Sequence, residues 1–162
     1  MRRTILSVLL FLFGIEGTSF AMPHKNYGGC EGNCEQQLEV ASLNCLAQTI
    51  FYEAGNQPTR GKVAVAFVVL NRAKRNQKTI CEIVKQRGQF FWVGNKELQQ
   101  RPKNKKQWEA CLELAKDILI NSNEYEDPTN GALAFRRVND HPFQKGWIAL
   151  ATIGPHIFYS IP

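Results

Sequence analysis

Glu53 is the acidic residue placed where a carboxyl group can be made to keep its proton. It stands seven residues after Leu46 and three after Ile50, on the apolar face of a helical pattern, with Phe51, Tyr52 and Ala54 beside it. Desolvation disfavours the charged form of a carboxyl group and raises its pKa. A glycosidase acid needs that property, because it must carry a proton near neutral pH and give it to a leaving glycosidic oxygen. The same position also suits a structural Glu paired with Arg60 or Arg72, or one at a solvated helix end, and periodicity does not choose between these. Glycosidases generally use a second carboxylate, for which Glu97, Glu124, Glu126, Asp127 and Asp140 are the candidates. Asp127 precedes Pro128 and opens a turn, which accounts for it without catalysis.

Other side chains have a functional and a structural reading side by side. Asn71 closes a buried helical run and either points its amide into a cleft or bonds the backbone. Gln89-Phe90-Phe91-Trp92 follows Gly88 in a loop. Rings beside an amide suit sugars, whose C–H faces stack while their hydroxyls need donors and acceptors; the alternative is that Phe90 and Phe91 fold onto the core. Phe135, Trp147, Phe158 and Tyr159 carry the same two readings. His24, His141 and His156 are isolated, and neither a C-x-x-C pair nor an H-E-x-x-H motif is present, so no metal site or cofactor is expected. Arg101, Lys103, Lys105 and Lys106 read as a solvated face or as a patch for an anionic polymer.

These residues must be held by elements that the pattern also predicts. Leu43, Leu46, Ala47, Ile50 and Ala54 recur at helical steps from about Leu38, and Gly55 is a stop signal. Val63 to Leu70 is a run of eight apolar residues that continues through Asn71 to Lys74. That length favours a helix over a strand, and apolarity all round makes it the enclosed central helix. Thr79-Ile80-Cys81-Glu82 has the form of a capping box opening a short helix to about Lys85. Residues 87–104 read as loop, and Trp108, Cys111, Leu112, Ala115 and Leu119 form the apolar face of a helix over about 105–121. Asp127-Pro128-Thr129-Asn130-Gly131 is a turn. Ala132–Phe135 and His156–Tyr159 are short β-prone runs that can pair antiparallel. The fold class is α+β, mainly helical, with a small antiparallel sheet.

The 162 residues, 44% apolar and 21% charged, fit one ordinary globular domain. Arg2 and Arg3, the apolar run Ile5–Phe13 and Ser19-Phe20-Ala21 form a secretory signal over residues 1–21. The apolar run is shorter than the ~20 residues a membrane span requires. Export to the periplasm or cell exterior is therefore expected, with no stable membrane insertion afterwards. Removing Arg2, Arg3 and Glu16 takes one positive charge from the formal +6, leaving 141 residues at about +5. Residues 22–37, rich in Gly, Asn and charge, read as a flexible leader. All five cysteines (Cys30, Cys34, Cys45, Cys81, Cys111) lie in the exported part, where pairing is expected, with at least one left over in a monomer. Their spacing does not fix the connectivity, although Cys30 and Cys34 can close a small loop. The positive charge permits an exported basic nuclease, which would bind nucleic acid in a salt-sensitive way, but no nucleic-acid partner is expected.

A resemblance adds to this reading. Asn44-Cys45-Leu46-Ala47-Gln48-Thr49-Ile50-Phe51-Tyr52-Glu53-Ala54, Gly61-Lys62-Val63-Ala64-Val65-Ala66 and Val68-Val69-Leu70-Asn71-Arg72 resemble the cell wall hydrolase family that includes the spore cortex-lytic enzymes. So do Ile80-Cys81-Glu82-Ile83-Val84, Gln89-Phe90, Asp127-Pro128-Thr129-Asn130-Gly131-Ala132 and Ile153-Gly154-Pro155-His156-Ile157-Phe158-Tyr159, in the family's order over residues 43–159. The resemblance implies a lysozyme-like catalytic domain over 38–162 that acts on peptidoglycan; a monomer without a cofactor is expected. It implies lytic transglycosylation between N-acetylmuramic acid and N-acetylglucosamine, with Glu53 as acid and then base. It also implies a cleft lined by Asn71, Gln89, Phe90, Phe135, His156 and Tyr159. The chain departs from the pattern at Gly55-Asn56-Gln57, at Asn130-Gly131 and at Arg136-Arg137, all beside the expected cleft. A non-catalytic glycan-binding module using the same aromatic residues is the alternative.

Overall fold

The computed structural model describes residues 34–95, 98, 104–140 and 145–162. The expected signal segment, Cys30, Glu97, Arg101, Lys103 and His141 lie outside the described residues, as does most of the expected leader.

The first helix, α1, runs Cys34–Ala54. It begins upstream of Leu38, so residues 34–37, expected as the end of an irregular leader, are helical. Leu46, Ala47, Ile50 and Ala54 are buried, which is the stripe their spacing predicts. The helix ends before Gly55, a position with room only for glycine: a Cβ there would stand 2.4 Å from the Phe51 carbonyl oxygen. Helix α2, Thr59–Asn76, opens after Pro58, whose carbonyl accepts from the Gly61 and Lys62 amides at 2.9 and 3.3 Å. Every residue from Val63 to Val69 is buried, so this helix is the enclosed one. Helix α3, Ile80–Val84, is capped by Thr79 and Glu82 in a reciprocal capping box. Helix α4, Lys105–Ile120, is capped by Asn104, which accepts from the Gln107 amide at 3.0 Å. No described helix is long and apolar enough to cross a membrane.

Three strands follow: β1 (Ala134–Arg137), β2 (Ile148–Ile153) and β3 (His156–Ser160). They form an antiparallel sheet in the order β1-β3-β2, with Phe135 opposite Phe158 and Arg137 opposite His156. The β1–β3 pairing is the expected one; β2 was not expected, and a register shift between Ala149 and Ala151 interrupts its ladder. One core cluster joins α1, α2, α3 and α4 with Phe90 and Trp92. A second joins Ala54, Ala64, Val65 and Val68 to Ala132, Ile153 and Phe158 of the sheet side. Helix α2 thus separates a helical layer from the sheet, and the end of α1 lies where the two meet.

A disulfide joins Cys45 on α1 to Cys81 on α3, across 36 residues of sequence, a connectivity that the spacings left open. Among the described residues Cys111 is the free thiol, buried on α4. In the chain-entropy model a loop of this length is worth about 4 kcal/mol. Replacing both Cys45 and Cys81 by Ala is therefore expected to lower unfolding stability by about 4 kcal/mol, measured by denaturant titration. Reductant should lower the stability of the parent protein by more than that of the variant.

Candidate active site

Glu53 occupies the last turn of α1, partly buried at the seam between the helical layer and the sheet. Two adjoining hollows open on either side of it. One, of 540 Å³, is lined by Glu53, Arg72, Gly88, Gln89, Phe90, Phe91, Phe135, Arg137, Asp140 and His156. The other, of 590 Å³, adds Asn56, Gln57, Val138, Asn139 and Pro155. Both share Glu53, Arg137, Asp140 and His156, so together they read as one groove with Glu53 near its middle.

Burial pushes the Glu53 carboxyl above the usual carboxylate range, while the Trp92 indole and the Arg137 guanidinium pull the other way without cancelling it. Trp92 stacks on Tyr52 and on Phe90, at ring separations of 5.1 and 5.9 Å. Its Nε1 is enclosed and makes no complete hydrogen bond, so it influences Glu53 as a nearby donor rather than through a closed bond. No ion pair joins Glu53 to Arg60 or Arg72 among the described residues; the pair present there is Lys105–Glu109, at 3.8 Å on the surface. The structural reading of Glu53 as a salt-bridged residue is thereby removed.

The sheet supplies the opposite wall. Side chains alternate faces along a strand, and the register places Phe135, Arg137, His156 and Phe158 on one face. The Phe135 and His156 rings meet edge-on at 5.1 Å. His156 is 3% exposed, and its Nδ1 has no hydrogen-bond partner. Burial, assisted by Arg137 and opposed by Asp140, pushes its pKa below the ordinary imidazole value. It therefore faces the groove as a neutral ring. On the loop after α3, Gln89 is exposed, Phe90 is buried against Trp92 and Phe91 stands 73% exposed at the rim.

Five of the expected site residues, Glu53, Gln89, Phe90, Phe135 and His156, are thus brought together. Two are placed elsewhere. The Asn71 amide donates to Asp127 Oδ2 at 2.9 Å and to the Ala132 carbonyl at 3.1 Å; it braces the turn before β1. Tyr159 lies on the other face of the sheet, packed on Trp147 at 5.4 Å, with Arg136 over the same indole. Asp127 is likewise a turn residue, accepting from the Thr129 amide and hydroxyl and the Gly131 amide at 2.7–2.8 Å.

Sequence reasoning missed Arg72 and Arg137 as groove residues and left Asp140 as one candidate among several. The signals were present. Arg72 falls four residues after Val68 and seven after Val65, on the buried face of α2. Arg137 falls two residues after Phe135 on β1, hence on the same face.

Known proteins share this fold. The catalytic domain of the Bacillus cereus SleB protein superposes with a TM-score of 0.56 at 24% identity, covering 75% of this chain and 91% of that one. The catalytic domain of the germination-specific lytic transglycosylase SleB from Bacillus anthracis gives 0.55 at 24% identity, covering 74% and 94%. At that identity the likeness establishes the fold. No curated protein matches the sequence. The Cell Wall Hydrolase family matches over residues 56–159, from just after Glu53 to the end of the β3 core. On that match, which spans more than half of its length, the chain belongs to the Cell Wall Hydrolase family.

Proposed function

We propose that this protein is an exported enzyme that cleaves peptidoglycan glycan strands between N-acetylmuramic acid and N-acetylglucosamine, by lytic transglycosylation. The observation that carries the reading is a desolvated carboxyl group, Glu53, midway along a groove walled by aromatic rings, an amide and a neutral imidazole. A protonated Glu53 gives its proton to the glycosidic oxygen as the bond from the anomeric carbon breaks. The resulting carboxylate takes the proton of the muramyl 6-hydroxyl, whose oxygen closes on the anomeric carbon. One carboxyl group acts twice, no water is consumed, and the product ends in an anhydro-muramyl unit. The transglycosylase chemistry of the Bacillus anthracis neighbour supports this sequence of steps. Phe91 at the rim supplies a stacking surface for a sugar face.

Asp140 supports a second reading. It lines both hollows with Glu53, and a second carboxylate in the groove suits a muramidase that uses water. Mass spectrometry of the fragments released from purified sacculi separates the two. Anhydro-muramyl ends are the expected result; reducing muramic acid ends would overturn transglycosylation and assign Asp140 the second role.

A further inference from the structure

The groove contains two cations that the scheme above does not use. Arg72 is largely enclosed at its wall, and burial pulls its pKa down. Its Nε donates to the Leu133 carbonyl, which fixes the plane of the guanidinium. No carboxylate pairs with it among the described residues. A desolvated charge without a counterion is costly, and the Leu133 carbonyl offsets that cost only in part, with no acidic partner for Arg72 among the described residues. Arg137 reaches the same groove from β1, also without an ion pair among the described residues, and borders both hollows. Of the two acids in the lining, Asp140 is turned back onto its own loop, accepting from the Arg137 amide at 3.3 Å. Glu53 is the acid that must hold a proton. Two guanidiniums therefore face one ionised carboxylate when Glu53 is protonated.

We propose that Arg72 and Arg137 form a carboxylate-binding site beside Glu53, which selects muramic acid units bearing a free carboxylate. This rests on the reading of the groove as a glycan site. A guanidinium presents parallel N–H donors that match a carboxylate two to two, and Arg72 is already oriented by its bond to Leu133. Muramic acid offers the chemistry in two places: the lactyl group once the stem peptide has been removed, or a carboxylate of the stem itself. Neutral N-acetylglucosamine units offer neither.

The test uses full-length protein carrying Glu53→Gln, so that strands are bound without being cut. Its affinity is measured for stem-free strands, for the same strands with lactyl carboxylates converted to methyl amides, and for stem-bearing strands. One of the two charged forms is expected to bind about tenfold more tightly than the amide form. Preference for stem-free strands assigns the lactyl group, and preference for stem-bearing strands assigns the stem. Adding Arg137→Gln, a change at an exposed position, should erase the preference at unchanged melting temperature. Arg72→Lys keeps the charge without the fork and should reduce it. Equal affinity for all three forms overturns the carboxylate site while leaving the glycan reading intact. Failure to bind any strand overturns the glycan reading instead.

Discussion

Replacing Glu53 by Gln is expected to slow glycan cleavage about 10²–10⁴-fold, with binding to sacculi retained. The substitution keeps shape and removes the group that gives the first proton and takes the second. Turbidity clearance of purified sacculi reads the loss; unchanged clearance would strip Glu53 of its role and leave a glycan-binding module as the better account. Two pH effects accompany it. The active form is protonated, and burial raises the Glu53 pKa, so kcat/KM of the parent should fall as pH rises through that raised value. The stability effect has the opposite beneficiary. A carboxyl group whose pKa is higher in the folded state than in the unfolded chain costs nothing below the unfolded value of about 4.3. It costs its full amount above the folded value. Glu53→Gln should therefore melt higher than the parent at neutral pH, and the gap should close in acid. A lone structural Glu in an ion pair would give the reverse, because its removal would destabilise the fold at neutral pH.

How far the sequence disclosed this arrangement depended on whether a signal was periodic or long-range. The apolar spacings of Leu46 to Ala54 and of Val63 to Val69 report which face is buried, and those faces are buried. The Thr79–Glu82 capping box is a local hydrogen-bond pattern, and it forms as its spacing predicts. Strand β2 gave no comparable signal: its Ala149 and Ala151 have weak strand preference, and its ladder is irregular between them. It is ordered by pairing with β3 rather than by its own composition. Asn71 shows the limit of face assignment. Periodicity places it at the end of the buried helix, but its partner Asp127 lies 56 residues away, and a pattern of neighbours does not reveal such a bond. Tyr159 shows another limit, since the strand period tells which residues share a face but not which face lines the groove. The same alternation applied from Phe135 finds Arg137, which became legible only once Phe135 was known to face Glu53.

Replacing Asp127 by Ala is expected to cost about 4 kcal/mol of stability, since four hydrogen bonds to an ionised carboxylate vanish and leave donors unmatched. Its two oxygens accept from the Thr129 amide, the Thr129 hydroxyl, the Gly131 amide and the Asn71 side chain, at 2.7–2.9 Å. These bonds hold a turn in which Asn130 and Gly131 both take positive φ, +55° and +81°, conformations that Asn tolerates and Gly adopts freely. The turn leads directly into β1, so it sets where Phe135 and Arg137 enter the groove. Burial alone would raise the Asp127 pKa, but these hydrogen bonds outweigh it and hold the carboxyl below the usual carboxylate range. The sign of the pH effect follows: its stabilisation is fully present above the unfolded value of about 3.9 and is lost as pH falls through the lower folded value. The difference in melting temperature between parent and variant should therefore shrink in acid. The milder Asp127→Asn change separates scaffold from chemistry. Assayed well below its melting temperature, it should keep most of the parent's kcat on sacculi while melting lower. A second catalytic carboxylate would behave the other way round, with kcat collapsing while the fold stayed nearly as stable, and that outcome would move Asp127 from the turn into the reaction.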